Sequence, residues 1–324
     1  MSGKVMGKSD PSKRAVIALG GNAIIREGEM GTIDQQFRNT RMSLVGVVHL
    51  IKLGWEILIT HGNGPQVGNR VVSNELAHER VPDLPLGVLC GDTEGAMGYM
   101  IQQSLYNKLI YHSINKPVVT VITQTVINIE DMSFRKPSKP IGLFYKKEQA
   151  EKLEREKGWI FMEDAGRGYR QVVPSPLPVS IVEIDVIKYL IERGVIVIAI
   201  GGGGIPVVVE PDRTLEGLDG IIDKDLASSL AARLLGAELF IMVTGVDQVC
   251  LNYRKLNEKR LDKMTLDEVK QYQNEGHFPP GSMGPKMSAA IEFLEATANG
   301  EVIITSPEMI SRAVRGEGGT VITR

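Results

Sequence analysis

The chain has 324 residues, 43% hydrophobic and 23% charged, with a formal net charge of −2. That composition supports one large or two modest globular domains. The near-neutral balance excludes a bulk electrostatic attraction to nucleic acid or an anionic membrane. Two cysteines, Cys90 and Cys250, show neither a secreted disulfide framework nor metal-ligand spacing. Both adjoin apolar runs and are expected as buried free thiols. No apolar run approaches the length of a membrane-spanning helix, so a cytoplasmic protein without membrane or nucleic-acid partners is expected.

Residues 1–14 are polar and mildly basic, without an apolar signal core, and read as a flexible tail, whether native, a tag remnant or a weak organelle address. From there, short aliphatic, β-branched runs alternate with helical patterns. Strands are predicted at 15–19, 57–60, 118–122, 195–200, 239–243 and 302–305. Helices are predicted at 35–53, 95–111, 180–193, 224–235, 266–273 and 285–298. This alternation implies βαβ units and a mainly parallel sheet. Such sheets bind ligands beyond the carboxyl ends of their strands.

The 35 glycines cluster at those ends. Gly20-Gly21-Asn22 follows the first strand and suits backbone hydrogen bonds to an anion, or a tight turn. Gly62-Asn63-Gly64-Pro65-Gln66-Val67-Gly68 follows the second. It nearly matches a dinucleotide fingerprint, but its last glycine is one residue late and the strand is the wrong one, which argues against a nicotinamide enzyme. Gly201 to Gly204 form an unbroken run, costly in conformational entropy, and are expected to lie close to a ligand. Residues 130–178 break the rhythm with Pro, Lys, Arg, Gly and aromatics, and read as an inserted subdomain. Within it, Lys139 is held between Ser138 and Pro140, whose ring restricts the backbone.

Lys224 sits among Asp219, Asp223 and Asp225 at a helix start. Lys286 ends Pro280-Gly281-Ser282-Met283-Gly284-Pro285, a loop shaped to meet an anion at a helix N-terminus. There is no P-loop, no protein-kinase catalytic loop and no nucleophile elbow. None of the five histidines has zinc spacing, and His61, beside Gly62, is read as structural. Two anion-binding regions with isolated lysines are equipment for phosphoryl transfer without a covalent intermediate.

These motifs resemble those of the carbamate kinases, a branch of the amino acid kinase superfamily. The resemblance rests on Ala18-Leu19-Gly20-Gly21-Asn22-Ala23, the segment from His61 to Gly68, and Gly95-Ala96-Met97-Gly98-Tyr99. It continues through Ser138-Lys139-Pro140-Ile141-Gly142, residues 163–170, Val173-Pro174-Ser175-Pro176, Gly201 to Pro206, Ile222-Asp223-Lys224-Asp225-Leu226-Ala227 and the loop ending at Lys286. It runs from residue 15 to 323, with the motifs in the family's order.

The resemblance implies a three-layer α/β/α sandwich with a mainly parallel central sheet and a small protruding subdomain. It divides the chain into a carbamoyl-phosphate half, 15–205, which includes a lid at about 130–178, and a nucleotide half, 206–324. The implied reaction is reversible: ADP and carbamoyl phosphate give ATP and carbamate, with Mg2+ as cofactor. The implied setting is a homodimer that ends the arginine deiminase route.

By the same resemblance, Lys139, Lys224, Lys286 and Asp219 are catalytic, and Asp219 also orients the metal. Gly20, Gly21, Asn22, Gly62, Asn63, Gly64, Gly202 and Gly203 face the carbamoyl substrate. Lys224, Thr244, Val246, Asp247, Tyr253, Met283, Gly284, Pro285 and Lys286 face the nucleotide. Ala18 stands where other amino acid kinases usually carry a lysine, and Lys139 is expected to supply that charge. Gly245 stands where an aspartate is common. The alternatives are another amino acid kinase, acting on acetylglutamate, glutamate or a nucleoside monophosphate, or a nucleotide sensor without catalysis.

Overall fold

The computed structural model describes residues 13–26, 28–163, 168–279 and 281–324, and only the backbone of Asn22. Most of the expected tail, part of the 163–170 motif and Pro280 lie outside the described residues.

In chain order the elements begin with β1 (Arg14–Leu19), α1 (Ile33–Lys52), β2 (Glu56–His61), α2 (Gly64–Ala77) and α3 (Leu86–Tyr111). Then come β3 (Val118–Thr120), β4 (Gln124–Ile127), β5 (Lys139–Tyr145), α4 (Lys147–Lys157), β6 (Ile160–Glu163), β7 (Tyr169–Val173) and β8 (Pro178–Ile181). Next are α5 (Ile184–Ile191), β9 (Ile196–Ile198), β10 (Ile205–Val209), β11 (Leu215–Gly217), α6 (Lys224–Leu234) and β12 (Leu239–Val243). The chain closes with β13 (Val249–Leu251), β14 (Lys259–Leu261), β15 (Lys263–Thr265), α7 (Leu266–Asn274), α8 (Met283–Ala296), β16 (Glu301–Thr305), α9 (Ile310–Ala313) and β17 (Thr320–Thr323).

An eight-stranded sheet, in the order β15-β17-β16-β12-β1-β2-β9-β3, forms the centre. Its pairings are parallel except between β16 and β17. All six residues of β1 and of β2 are buried, as a strand covered on both faces requires. Alternate side chains feed two cores. Val16, Ala18, Leu58, Phe240 and Met242 pack with residues of α5, α6 and α8. Ala15, Ile17, Leu19, Ile59 and Ile241 pack with residues of α1 and α3. The three-layer α/β/α sandwich follows from this period-two division.

Besides the two-stranded β13-β14 sheet, two smaller sheets flank the centre. One has the order β11-β10-β4-β8, the other β5-β7-β6. The segment read as an irregular insertion therefore holds the antiparallel β5-β7-β6 sheet and α4, while β8 belongs to a different sheet. This small unit rests on α2 with almost nothing between the backbones. A Cβ placed on Gly68 would lie 2.5 Å from Gly142 N and 2.7 Å from Gly142 Cα. Lys157 and Glu75 form an ion pair across the same contact.

Three readings change. Residues 64–68 open helix α2, with Pro65 in its first turn, because proline is preorganised for that position. Helix α3 begins at Leu86, nine residues before the expected start. Gly87 and Gly91 in that stretch let it pack closely against Ile205. Residues 180 and 181, the start of the helix expected at 180–193, belong to β8 instead, and α5 begins at Ile184. Among the described residues no helix is long and apolar enough to cross a membrane.

Candidate active site

The parallel register sets Leu19 opposite both His61 and Val243. The turns that follow β1, β2 and β12 therefore leave the sheet side by side at its carboxyl edge. Gly20 donates its N–H to Val243 O at 2.9 Å. A Cβ there would come within 2.4 Å of that oxygen, so this crossing tolerates only glycine.

The four-glycine turn has conformational and packing reasons of its own. Gly202, Gly203 and Gly204 have φ of 65°, 98° and 88°. Ile200, just before them, adopts φ 58°, a strained value for a β-branched residue. A Cβ at Gly201 would meet His61, one at Gly202 Asn63, one at Gly203 Ile222, and one at Gly204 Thr125. Only Gly202 of the four lines the cavity described next.

That cavity, of about 230 Å³, brings together Lys139, Lys224 and Lys286 with Gly21, Gly62 and Asn63. The lysines come from β5 and from the first turns of α6 and α8. At rest each lies against a carboxylate. Lys139 Nζ is 2.6 Å from Asp223 Oδ2. Lys224 Nζ is 2.5 Å from Asp225 Oδ1, and Lys286 Nζ is 2.8 Å from Asp225 Oδ2. Asp223 also caps α6, accepting the Asp225 N–H at 2.9 Å.

Asp225 is only 3% exposed. Burial works against its charge, but Lys224 and Lys286 outweigh it and hold the carboxyl well below the usual aspartate range. Burial pushes Lys224 down, with neighbouring Lys286 adding to the effect against the pull of Asp225. Burial also opposes the charge on Lys286, but Asp225 and Asp223 together raise it above the ordinary lysine value. Burial, aided by Lys224, lowers His61 to about 4. The imidazole is neutral at physiological pH, in keeping with a structural role.

Three ammonium groups face two carboxylates, which leaves a net positive charge. The first turns of α2, α6 and α8 reach the same cavity, and helix N-termini add positive potential and free N–H groups. The arrangement is suited to holding a phosphoryl group between two oxygen partners. A second cavity of about 350 Å³ adjoins it and shares Gly21, Lys224, Ser282 and Lys286. Its far walls include Thr244, Val246, Tyr253, Phe278 and Met283.

Of the expected site residues, Gly20 lines the larger cavity, Gly21 both, and Gly62, Asn63, Gly64 and Pro285 the smaller. Gly203 is turned inward, its carbonyl accepting from Thr125 Oγ1 at 2.8 Å. Gly284 is buried behind the loop and donates to Pro279 O. Asp247 lies outside the cavity, accepting from Ser306 Oγ. Asp219 is the main correction. Its Oδ1 accepts the Leu86 N–H at 2.8 Å, at the start of α3, and it makes no ion pair with the lysines. Asp223 and Asp225 occupy the place assigned to it, and the Asp-Lys-Asp helix-start pattern was the available signal. Cys90 is buried, but Cys250 is part-exposed on the larger cavity wall. Gln248, Arg254 and His277 also line that wall, with no signal in the sequence read alone.

Among the described residues no group of three or more His, Cys, Asp or Glu could hold a metal. The carboxylates nearest the lysines are Asp223 and Asp225, already engaged by ammonium groups. This donor set fits a magnesium ion carried in on nucleotide phosphates, which supply most of its ligands, rather than a protein cage.

The sequence profile of the amino acid kinase family matches residues 13–306. The carbamate kinase of Thermococcus kodakarensis is 46% identical over 315 residues, covering 96% of this chain and 99% of its own. That of Clostridium perfringens is 45% identical over 314 residues, covering 96% and 100%. The solved structure of carbamate kinase from Giardia lamblia bound to AMP-PNP superposes with a TM-score of 0.89 at 41% identity, covering 96% of this chain and 98% of that one.

Proposed function

The chain belongs to the amino acid kinase family and, within it, to the carbamate kinases, and from that premise we propose a phosphoryl transfer carried by Lys139, Lys224 and Lys286. Carbamoyl phosphate and ADP give ATP and carbamate, which breaks down to ammonia and carbon dioxide. The observation that carries this residue assignment is the meeting of the three lysines in one cavity, with three helix N-termini facing them.

The larger cavity suits the nucleotide, whose base needs apolar walls such as Val246, Tyr253 and Phe278. The smaller suits carbamoyl phosphate, held by the backbone of Gly21, Gly62 and Gly64 and the Asn63 amide. The shared boundary, Gly21, Lys224 and Lys286, is then where the phosphoryl group passes in line between its two partners. Lys224 and Lys286, spaced by Asp225, meet the charge on its oxygens, and Lys139 approaches from β5. Magnesium bound with ADP would neutralise charge between the nucleotide phosphates, with Asp223 or Asp225 as the protein carboxylate in reach.

A homodimer, a cytoplasmic location and a place at the end of the arginine deiminase route belong to the same reading. The dimer is supported by the open edge strand β3, with Ile122 exposed just past its end, beside an α3 face where Tyr99 and Tyr106 are exposed.

The test is ATP formation from ADP and magnesium with carbamoyl phosphate, and separately with acetyl phosphate. ATP with carbamoyl phosphate is expected. Binding of ADP without ATP formation would leave a nucleotide sensor instead.

A further inference from the structure

Glu94, in the middle of α3, is 1% exposed and does not line the lysine cavity. A buried acid needs a reason, since an unpaired carboxylate inside a protein is expensive. Its Oε2 accepts the Thr123 N–H at 2.8 Å, and the Gly201 N–H also turns to this carboxyl. Its Oε1 has no hydrogen-bond partner among the described residues. Burial, with Glu183 nearby, pushes the group well above the usual carboxylate range despite those two N–H groups.

The two segments it joins are those that shape the glycine turn. Thr123 accepts the Ile200 N–H on its Oγ1 at 3.0 Å, and its carbonyl accepts the Ile205 N–H at 2.9 Å. Thr123 thus brackets the turn at both ends. Gly201 is pinched between Glu94 and His61: a Cβ there would lie 3.0 Å from Glu94 Cγ and 2.5 Å from His61 Nε2. The next glycine, Gly202, presses on Asn63, and both line the lysine cavity. Asn63 is in turn tied to α3 through Thr93, at 2.9 Å. One turn of α3 therefore grips both the glycine turn and the asparagine beside it.

The strained Ile200 and three left-handed glycines hold that shape only because their surroundings fix it. We propose that Glu94 is a positioning residue: by binding the N–H groups of Thr123 and Gly201 it sets where Gly202 and Asn63 meet the carbamoyl substrate. It touches no reacting atom. The inference rests on the carbamate kinase reading, since it names the substrate whose seat is set.

The test compares wild type with Glu94→Ala and Glu94→Gln in steady-state ATP formation, normalised to ADP-binding stoichiometry by calorimetry. Glutamine keeps an oxygen that can accept both N–H groups. In Glu94→Ala, kcat/KM for carbamoyl phosphate is expected to fall about 10- to 100-fold, the scale of an ångström-sized misplacement. KM for ADP stays within about 2-fold of wild type and Glu94→Gln recovers to within about 3-fold, because the acceptor is restored. A role in stability alone would lower the active fraction and leave both KM values and the normalised kcat unchanged, which overturns the proposal. So would a Glu94→Gln variant as impaired as Glu94→Ala. Should Glu94→Ala not fold, Glu94→Asp is read in its place. Its carboxyl is one methylene short of both N–H groups, and unchanged kinetics there refute the proposal. Inactive wild type would refute the carbamate kinase reading itself, separately from the variants.

Discussion

Asp225→Asn tests how the site is held together. The Asp225 side chain is 4% exposed and carries two ammonium groups, at 2.5 and 2.8 Å, whose own side chains are 11% exposed. Removing one partner of a buried ion pair costs about 3–5 kcal/mol, because the remaining charge is left buried and unpaired. Here two like charges are left. For 324 residues the unfolding entropy is about 0.7 kcal/mol/K, so Tm should fall by about 4–7 °C. The folded carboxyl is depressed below its ordinary value of 3.8. Its contribution is therefore complete above that pH and is lost only as pH falls below it. The Tm gap between wild type and variant should persist across neutral pH and shrink in acid below pH 3.8. The assay is thermal denaturation in low-salt buffer at several pH values, repeated with added sulfate. Sulfate should restore more of the variant's Tm than of the wild type's, since an external anion replaces the lost one. Asp219→Asn is the control: it keeps an oxygen for the Leu86 N–H and should cost less than about 1 kcal/mol, as for a weakened cap. If Asp219→Asn lowers Tm and turnover as much as Asp225→Asn does, the assignment of Asp225 as the shared counter-ion is refuted.

Lys286→Ala should reduce turnover at least ~100-fold, the usual loss for one transition-state charge contact, and near-wild-type turnover in folded protein would remove it from the set. Lys139→Ala should impair turnover while leaving ADP affinity within about 2-fold by calorimetry, since it touches the smaller cavity and not the larger; abolished ADP binding would contradict that division. His61 is depressed from 6.5 to about 4, so its neutral form stabilises the fold fully above pH 6.5 and that contribution is lost as pH falls from 6.5 towards 4. The loss is about 3 kcal/mol and should vanish from the pH–Tm profile of folded His61→Gln; an unchanged acid slope would refute it.

The central strands were legible because a doubly covered strand must be apolar along its whole length, as 15–19 and 239–243 are. That Lys139, Lys224 and Lys286 would line one cavity was legible from the family's motif order. Asp219 was misplaced because sequence proximity to Lys224 says nothing about direction: the chain turns between them, and Asp219 faces α3 while Asp223 and Asp225 start α6. Helix α2 was hidden by its glycines, which read as loop until Pro65 is seen as a first-turn residue. The strength of Gly201 to Gly204 as a signal was real, but its main cause was steric and conformational. Glu94 gave no signal, because it falls just before the predicted helix 95–111, where a carboxylate is normally solvated, and only the fold shows it enclosed.

The contact between Gly68 and Gly142 fixes a spacing. Lys139 lies three residues before Gly142 on β5, so its height over Lys224 and Lys286 depends on how closely β5 seats on α2. A methyl group on Gly68 would act as a shim, 2.5 Å from one backbone atom and 2.7 Å from another. The strand would have to back away by about 1 Å to restore ordinary contact, and a displacement of that size is enough to cost roughly 100-fold in rate. The working gap of the site is thus gauged by one missing side chain, that of Gly68, on a surface that lines neither cavity.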